Sequence, residues 1–137
     1  MSWDSPRRLQ RILVVDDQRP LLRALATTLE GAGFQVFAAE SGREATSIAS
    51  EHQLDLLITD LGMPDEDGFE LARRMKKEHP ELKIIVMSGT FGPDLLKAAR
   101  LLGADATLSK PMTATALLDC IRKLDTVTES DQRPKQA

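Results

Sequence analysis

The chain has 137 residues, of which 42% are hydrophobic and 28% charged, and its formal net charge is −3. This length fits one domain with a sizeable core, and the composition is that of a folded globular protein rather than a disordered or fibrous one. The acidic balance and the scattered basic residues argue against direct nucleic-acid binding, which needs clustered Lys and Arg side chains.

The amino terminus and the cysteine content indicate where the protein works. The first ten residues, MSWDSPRRLQ, lack the apolar run of a signal peptide, and no later stretch has the length needed to cross a bilayer. Cys120 is the only cysteine, so an internal disulfide is impossible and a reducing compartment is favoured. We therefore expect a cytoplasmic protein that does not interact with a membrane.

Five short apolar runs alternate with amphipathic segments along the chain. The runs have the length and composition of largely buried strands. The predicted strands span residues 12–15, 35–39, 54–59, 83–87 and 106–108.

The segments between the strands carry helix start and stop signals. Pro20 suits the first turn of a helix, and Ser41 with Glu44 has the spacing of a capping box. A third helix is expected to end before Pro80, a fourth to begin at Pro93 and stop at Gly103, and a fifth to be capped by Thr113.

The repeated strand–helix alternation predicts the fold class. Short connections between strands and helices give right-handed crossovers, and therefore a parallel sheet covered by helices on both faces. We predict an α/β domain with a doubly wound, flavodoxin-like, five-stranded parallel sheet over residues 11–124. Residues 1–10 and 125–137 are polar and are predicted to be tails.

Polar residues follow four of the five predicted strands. Asp16 and Asp17 come after the first strand, Asp60 after the third, Ser88 after the fourth and Lys110 after the fifth. Ligand sites in doubly wound sheets lie outside the carboxyl ends of the strands, so the fold should bring these residues together. Each of these residues alone is also typical of an ordinary turn or surface position. The prediction of a shared site therefore rests on their joint placement at the strand ends.

Converging carboxylates predict a metal site. Three acids on one rim repel each other unless they are partly protonated or share a cation. Magnesium suits a site with a few carboxylates and a substrate phosphate, and Asp16, Asp17 and Asp60 provide the carboxylates. The backbone carbonyl of Gly62 would add a further oxygen ligand. Asp60 is then a carboxylate nucleophile of the type that forms aspartyl phosphate, with Lys110 offsetting charge on the phosphoryl oxygens.

Read together, these motifs resemble the receiver domain of two-component response regulators. The strings that carry the resemblance are ILVVDD, LLITDLGMPDEDG, IIVMSG and GADATLSKP. The resemblance implies that Asp60 is the phosphorylation site and that Ser88 and Lys110 contact the phosphoryl group. It also implies that Asp16 and Asp17, with the carbonyl of Gly62, hold Mg²⁺.

The same resemblance implies partners and a mode of action. The phosphoryl donor would be a sensor histidine kinase or a histidine phosphotransfer protein, and the signal would pass to a downstream output protein or domain. The chain would be a phosphoacceptor that assists its own phosphorylation and dephosphorylation rather than an enzyme. A family cis bond would fall at Lys110–Pro111. Both a stand-alone receiver and the first domain of a longer regulator fit this sequence.

One position departs from the family pattern. Receivers commonly carry Tyr or Phe three residues before the lysine, and this chain has Thr107 there. Thr cannot act as a swinging aromatic switch. Phe91, in the glycine-containing loop after the fourth strand, is then a candidate reporter of phosphorylation, and the alternative is that Phe91 packs on the fourth helix in both states.

Two other functions fit the sequence less well than that of a receiver domain. An aspartate-nucleophile phosphatase of the haloacid dehalogenase type would carry its nucleophile after the first strand and a second acid two residues on, whereas here the first strand is followed by adjacent acids. A flavin-binding flavodoxin-like module would need a phosphate loop after the first strand, where Asp16 and Asp17 would repel the phosphate.

Overall fold

The computed structural model describes residues 9–63, 68–89, 97 and 99–132, with side chains as far as residue 125. The strands are β1 (Arg11–Val15), β2 (Gln35–Ala39), β3 (Leu56–Asp60), β4 (Lys83–Ser88) and β5 (Ala106–Ser109). The helices are α1 (Arg19–Gly31), α2 (Gly42–Glu51), α3 (Gly68–Glu78) and α4 (Ala114–Gln132). Residues 97 and 99–101 are also helical.

The five strands form one parallel sheet in the order β2-β1-β3-β4-β5. The chain winds outward from β1 in one direction to β2 and then crosses to β3 on the other side. This is the flavodoxin-like order with its switch point between β1 and β3, where such sheets bind ligands. The predicted fold class is confirmed.

Two apolar cores cover the two faces of the sheet. Leu13 and Val15 of β1 point into one core, which includes buried residues of α2 and α3. Ile12 and Val14 point into the other, which includes buried residues of α1 and α4. All five residues of β3 are buried, because this central strand has strands on both sides and helices on both faces. The fully apolar runs in the sequence reflect this two-sided burial.

The predicted helix caps are present with one difference. The Ser41 hydroxyl accepts a hydrogen bond from the Glu44 amide (3.1 Å), as a capping box requires. The Glu44 carboxylate reaches back to the amide of Glu40 (2.8 Å), one residue before the cap. At α4, the Thr113 hydroxyl accepts a hydrogen bond from the Ala116 amide (3.0 Å).

Element bounds differ from the prediction at functionally relevant places. β3 spans Leu56–Asp60 instead of residues 54–59, so Asp60 is the last residue of the strand itself. The predicted C-terminal tail begins inside α4, which continues to Gln132 because residues 125–132 contain no Gly or Pro to end it. The start of the predicted fourth helix at Pro93 lies outside the described residues. In the part of the chain described, no helix is long and apolar enough to cross a membrane.

Candidate functional site

Backbone hydrogen bonds continue past the strand ends and place the site residues. The amide of Asp16 donates to the carbonyl of Ala39 (3.1 Å), one residue beyond the β1–β2 ladder. The amide of Lys110 donates to the carbonyl of Ser88 (2.9 Å), one residue beyond β5. The site residues are therefore fixed by the sheet rather than carried on free loops.

Three aspartates converge at the carboxyl ends of β1 and β3. One carboxylate oxygen from each of Asp16, Asp17 and Asp60 lies within 4.8 Å of the others. Asp16 is completely buried and Asp60 is 5% exposed, whereas Asp17 is exposed to solvent. Buried carboxylates at this spacing repel each other strongly in a low-dielectric surrounding. The predicted acid cluster is assembled as expected.

Lys110 reaches into this cluster from the end of β5. Its Nζ lies 2.8 Å from Asp16 Oδ2 and 3.3 Å from Asp60 Oδ1, and its side chain is 14% exposed. Burial alone would lower the pKa of Lys110, but contact with Asp16 and the charges of Asp16 and Asp60 outweigh burial and raise the pKa above its usual value. Lys110 is thus a protonated ammonium that offsets one of three carboxylate charges.

The two oxygens of Asp16 have different surroundings. Oδ1 accepts a hydrogen bond from the amide of Gln18 (2.9 Å), which holds the side chain in place. Oδ2 is buried and pairs with the ammonium of Lys110 at 2.8 Å, and within the described part of the chain no other donor reaches it. A buried carboxylate oxygen with an incomplete shell, beside two further carboxylates, fits a hard divalent cation such as Mg²⁺.

Gly62 and Ser88 lie at the edge of this cluster. A Cβ built on Gly62 would be 3.9 Å from both carboxylate oxygens of Asp60, so the backbone passes directly beside that side chain. The carbonyl of Gly62 as a metal ligand remains a prediction. Ser88 is buried at the end of β4, in register with Ser109, and its contact with a phosphoryl group also remains a prediction.

Two further expectations concern the neighbourhood of Lys110. The Lys110–Pro111 peptide bond is cis, as the family resemblance implies. Thr107 is half-buried in β5 and in register with Val86. Phe91, the predicted reporter, lies outside the described residues.

The sequence does not predict a role for Gly68 or for the amide of Gln18. Gly68 ends the string LLITDLGMPDEDG around Asp60. Its position against the backbone of Asp60 depends on the three-dimensional course of the chain. The Gln18 amide is a backbone group, so no side-chain pattern could reveal it. The only signal in the sequence is Asp16 itself, because Asp side chains often accept a hydrogen bond from the backbone amide two residues further on.

Comparisons of sequence agree with this geometry. The model of the response regulator receiver domain family matches residues 12–122. A response regulator receiver protein of Anaeromyxobacter sp. (strain Fw109-5) is 36% identical over 111 residues, which cover 81% of this chain and 47% of that protein. The virulence transcriptional regulatory protein PhoP of Salmonella typhimurium (strain LT2) is 39% identical over 103 residues, covering 75% of this chain and 46% of PhoP.

A shorter relative matches almost along its whole length. The sporulation initiation phosphotransferase F of Bacillus subtilis (strain 168) is 30% identical over 114 residues, covering 83% of this chain and 92% of that protein. The present chain thus spans about half the length of the first two relatives and most of the third.

Solved structures share the fold. A CheY-like receiver domain protein from Methanospirillum hungatei superposes with a TM-score of 0.84 at 29% identity, covering 90% of this chain and 98% of that one. The beryllofluoride-activated NtrC4 receiver domain gives a TM-score of 0.80 at 30% identity, covering 85% and 96% of the two chains. The family match, the sheet order and the assembled acid cluster agree, and the chain belongs to the receiver domain family of two-component response regulators.

Proposed function

We propose that Asp60 accepts a phosphoryl group from the phosphohistidine of a sensor histidine kinase or a histidine phosphotransfer protein, in a reaction that requires a divalent cation. The observation that carries the proposal is the position of the Asp60 carboxylate, which lies both within the acid cluster and 3.3 Å from the ammonium of Lys110. A nucleophilic carboxylate with a cation at this distance is suited to phosphoryl transfer.

The transfer itself forms one bond and breaks one. A carboxylate oxygen of Asp60 bonds to phosphorus while the bond from phosphorus to the donor nitrogen breaks, and that electron pair stays on the leaving imidazole. Negative charge spreads over the three equatorial phosphoryl oxygens during this step. Lys110 pairs with the carboxylates of Asp16 and Asp60 beforehand and would pair with a phosphoryl oxygen afterwards.

The remaining site residues support the same step. Magnesium, held by Asp16, Asp17, Asp60 and the carbonyl of Gly62, would supply positive charge that offsets the incoming anion. The Asp16 carboxylate is oriented for this by the Gln18 amide. The hydroxyl of Ser88 would donate a hydrogen bond to the phosphoryl group, which gives the loop after β4 a means of sensing phosphorylation.

The proposed role is that of a phosphoacceptor which assists its own phosphorylation and dephosphorylation. Asp60 ends β3, the third strand, whereas the phosphatase alternative requires its nucleophile after the first strand, so the topology gives that alternative no support. A downstream output protein or domain would read the phosphorylated state. A cytoplasmic location remains part of the proposal.

Intact mass measurement tests the proposal. The protein is incubated with acetyl phosphate and Mg²⁺, and in parallel with acetyl phosphate and a chelator. We expect the mass of one added phosphoryl group only with metal, and none in the variant Asp60→Asn. The matched control is Asp55→Asn, an equivalent change just before the other end of β3, which should be labelled like the parent. Equal labelling of Asp60→Asn and the parent would reject Asp60 as the acceptor.

A further inference from the structure

α3 begins against the backbone of Asp60. Gly68, the first residue of α3, is buried, and a Cβ built on it would lie 2.6 Å from the Cα of Leu61 and 3.1 Å from the carbonyl carbon of Asp60. The carbonyl oxygen of Asp60 is closer still. These neighbours are backbone atoms and cannot rotate away as a flexible side chain would.

Backbone conformation does not explain the glycine at position 68. Gly68 lies in an α-helix, a backbone conformation that other residues also adopt. Gly is also a poor helix former, and Ala at an ordinary helical position would be more favourable. The requirement at Gly68 is therefore one of space, set by the peptide between Asp60 and Leu61.

That peptide is held from its other side as well. Asp60 is in register with Met87 of β4, and the amide of Leu61 donates a hydrogen bond to the carbonyl of Met87 (2.9 Å). The backbone carrying the Asp60 carboxylate thus lies between β4 and the first turn of α3. A displacement of α3 therefore moves the Asp60 carboxylate relative to Lys110, whose amide is hydrogen-bonded to Ser88 of β4.

We propose that Gly68 is a positioning residue for phosphoryl transfer: its missing side chain allows α3 to close on the Asp60–Leu61 peptide and so fixes the Asp60 carboxylate against Lys110 and the metal-binding acids. The inference rests on the proposed function of Asp60. A methyl group at position 68 must gain roughly 1 Å to reach normal carbon–carbon separation of about 3.5–4.0 Å. Misplacement of reacting groups by that distance can slow a reaction about 100-fold.

The test compares Gly68→Ala with Gly31→Ala. A Cβ on Gly31, the last residue of α1, meets no atom within 4 Å, so the control makes the same chemical change in open space. At a temperature where circular dichroism shows each variant folded, we expect Gly68→Ala to slow phosphorylation by acetyl phosphate about 10- to 100-fold and to weaken Mg²⁺ binding. Gly31→Ala should change both by less than about twofold.

A second comparison separates positioning from general loss of stability. Leu29→Ala removes a fully buried side chain from the core on the opposite face of the sheet. It should lower the melting temperature and leave the phosphorylation rate of the folded protein unchanged. A folded Gly68→Ala that is labelled at the rate of the parent and binds Mg²⁺ equally well would overturn the inference.

A further variant applies if Gly68→Ala does not fold. Leu71→Ala removes the fully buried side chain that holds the first turns of α3 on the sheet and adds no atom near Asp60. It should slow phosphorylation relative to Leu29→Ala, and equal rates in these two variants would overturn the inference. If the parent itself is not labelled with Mg²⁺ present, the proposed function fails. The role of Gly68 is then tested by the Mg²⁺ affinity of the same variants alone.

Discussion

Aspartates lie at both ends of the parallel sheet, and the balance between their charges and the nearby cations differs. At the amino ends of the strands, Asp55 Oδ2 accepts hydrogen bonds from the amides of Gln10 (3.0 Å) and Arg11 (2.8 Å). At the carboxyl ends, Asp16, Asp17 and Asp60 crowd within 4.8 Å with Lys110 as their cation. The first arrangement joins chain segments, and the second concentrates charge.

Asp105 extends the comparison at the amino ends. It accepts a hydrogen bond from the amide of Ile84 (2.8 Å), and its carboxylate lies 3.4 Å from Lys76 Nζ and 4.0 Å from Lys83 Nζ. Carboxylates whose charge is matched by hydrogen-bond donors and cations stabilise a fold, whereas carboxylates that outnumber their cations cost stability and are typical of functional sites. We therefore propose a structural role for the aspartates at the amino ends and a functional role for those at the carboxyl ends.

The largest effect on stability is expected for Lys110→Met. It removes the ammonium from a cluster in which Asp16 is fully buried, and leaving a buried charge unpaired costs about 3 kcal/mol or more. Urea unfolding in the absence of metal measures this loss. Added Mg²⁺ should recover part of it, because the cation supplies positive charge to the same carboxylates. Unchanged stability without metal would mean that Lys110 does not offset the acid cluster.

Asp55→Ala should give the next largest loss of stability without loss of function. Two backbone amides lose their acceptor, at a cost of about 1–3 kcal/mol. Urea unfolding should show the loss, while the phosphorylation rate of the folded protein stays at the parent value. Asp55→Asn retains an acceptor oxygen and is the matched control, expected to be less destabilised. A reduced phosphorylation rate in Asp55→Ala would contradict a purely structural role for Asp55.

Magnesium should stabilise the folded protein. Binding only where the three acids are assembled contributes about 1 kcal/mol at roughly a fivefold excess over the dissociation constant. Thermal melting with and without Mg²⁺ measures this gain. Asp17→Ala should abolish it, whereas Asp55→Ala should retain it. An equal gain in Asp17→Ala would reject Asp17 as a ligand.

The smallest effect is expected for Asp17→Ala in the absence of metal, where the free energy of unfolding should rise rather than fall. Asp17 is exposed, so removing its charge in Asp17→Ala relieves a screened repulsion and should raise stability by about 0.5 kcal/mol or less. Asp105→Ala, tested the same way, should lower stability. Unfolding curves of the two variants, taken without metal at low salt, measure both changes. A loss of stability in both variants would contradict the expected difference between the two ends of the sheet.

The sequence was most informative about the polar residues at the carboxyl ends of the strands. Apolar runs interrupted by capping signals predicted the sheet and the placement of Asp16, Asp17, Asp60 and Lys110, because parallel strands carry their carboxyl ends to one edge. The structural role of Asp55 was not predicted, since its partners are backbone amides from a different segment and leave no side-chain pattern.

Two other features needed the structure. Gly68 appears in sequence as an ordinary turn glycine, and its close approach to Asp60 exists only once α3 is packed on the sheet. The continuation of α4 to Gln132 was missed because a polar, charged segment was interpreted as a tail, although helices continue through such residues when no Gly or Pro ends them.

The role of Asp60 is tested most directly by locating the phosphoryl group on the chain. Borohydride converts an aspartyl phosphate to homoserine, so reduction after incubation with acetyl phosphate and Mg²⁺, followed by peptide mass spectrometry, identifies the acceptor. We expect homoserine at position 60 and unmodified aspartate at the other acids of both sheet ends. Homoserine at Asp16, Asp17, Asp55 or Asp105, with residue 60 unchanged, would contradict it.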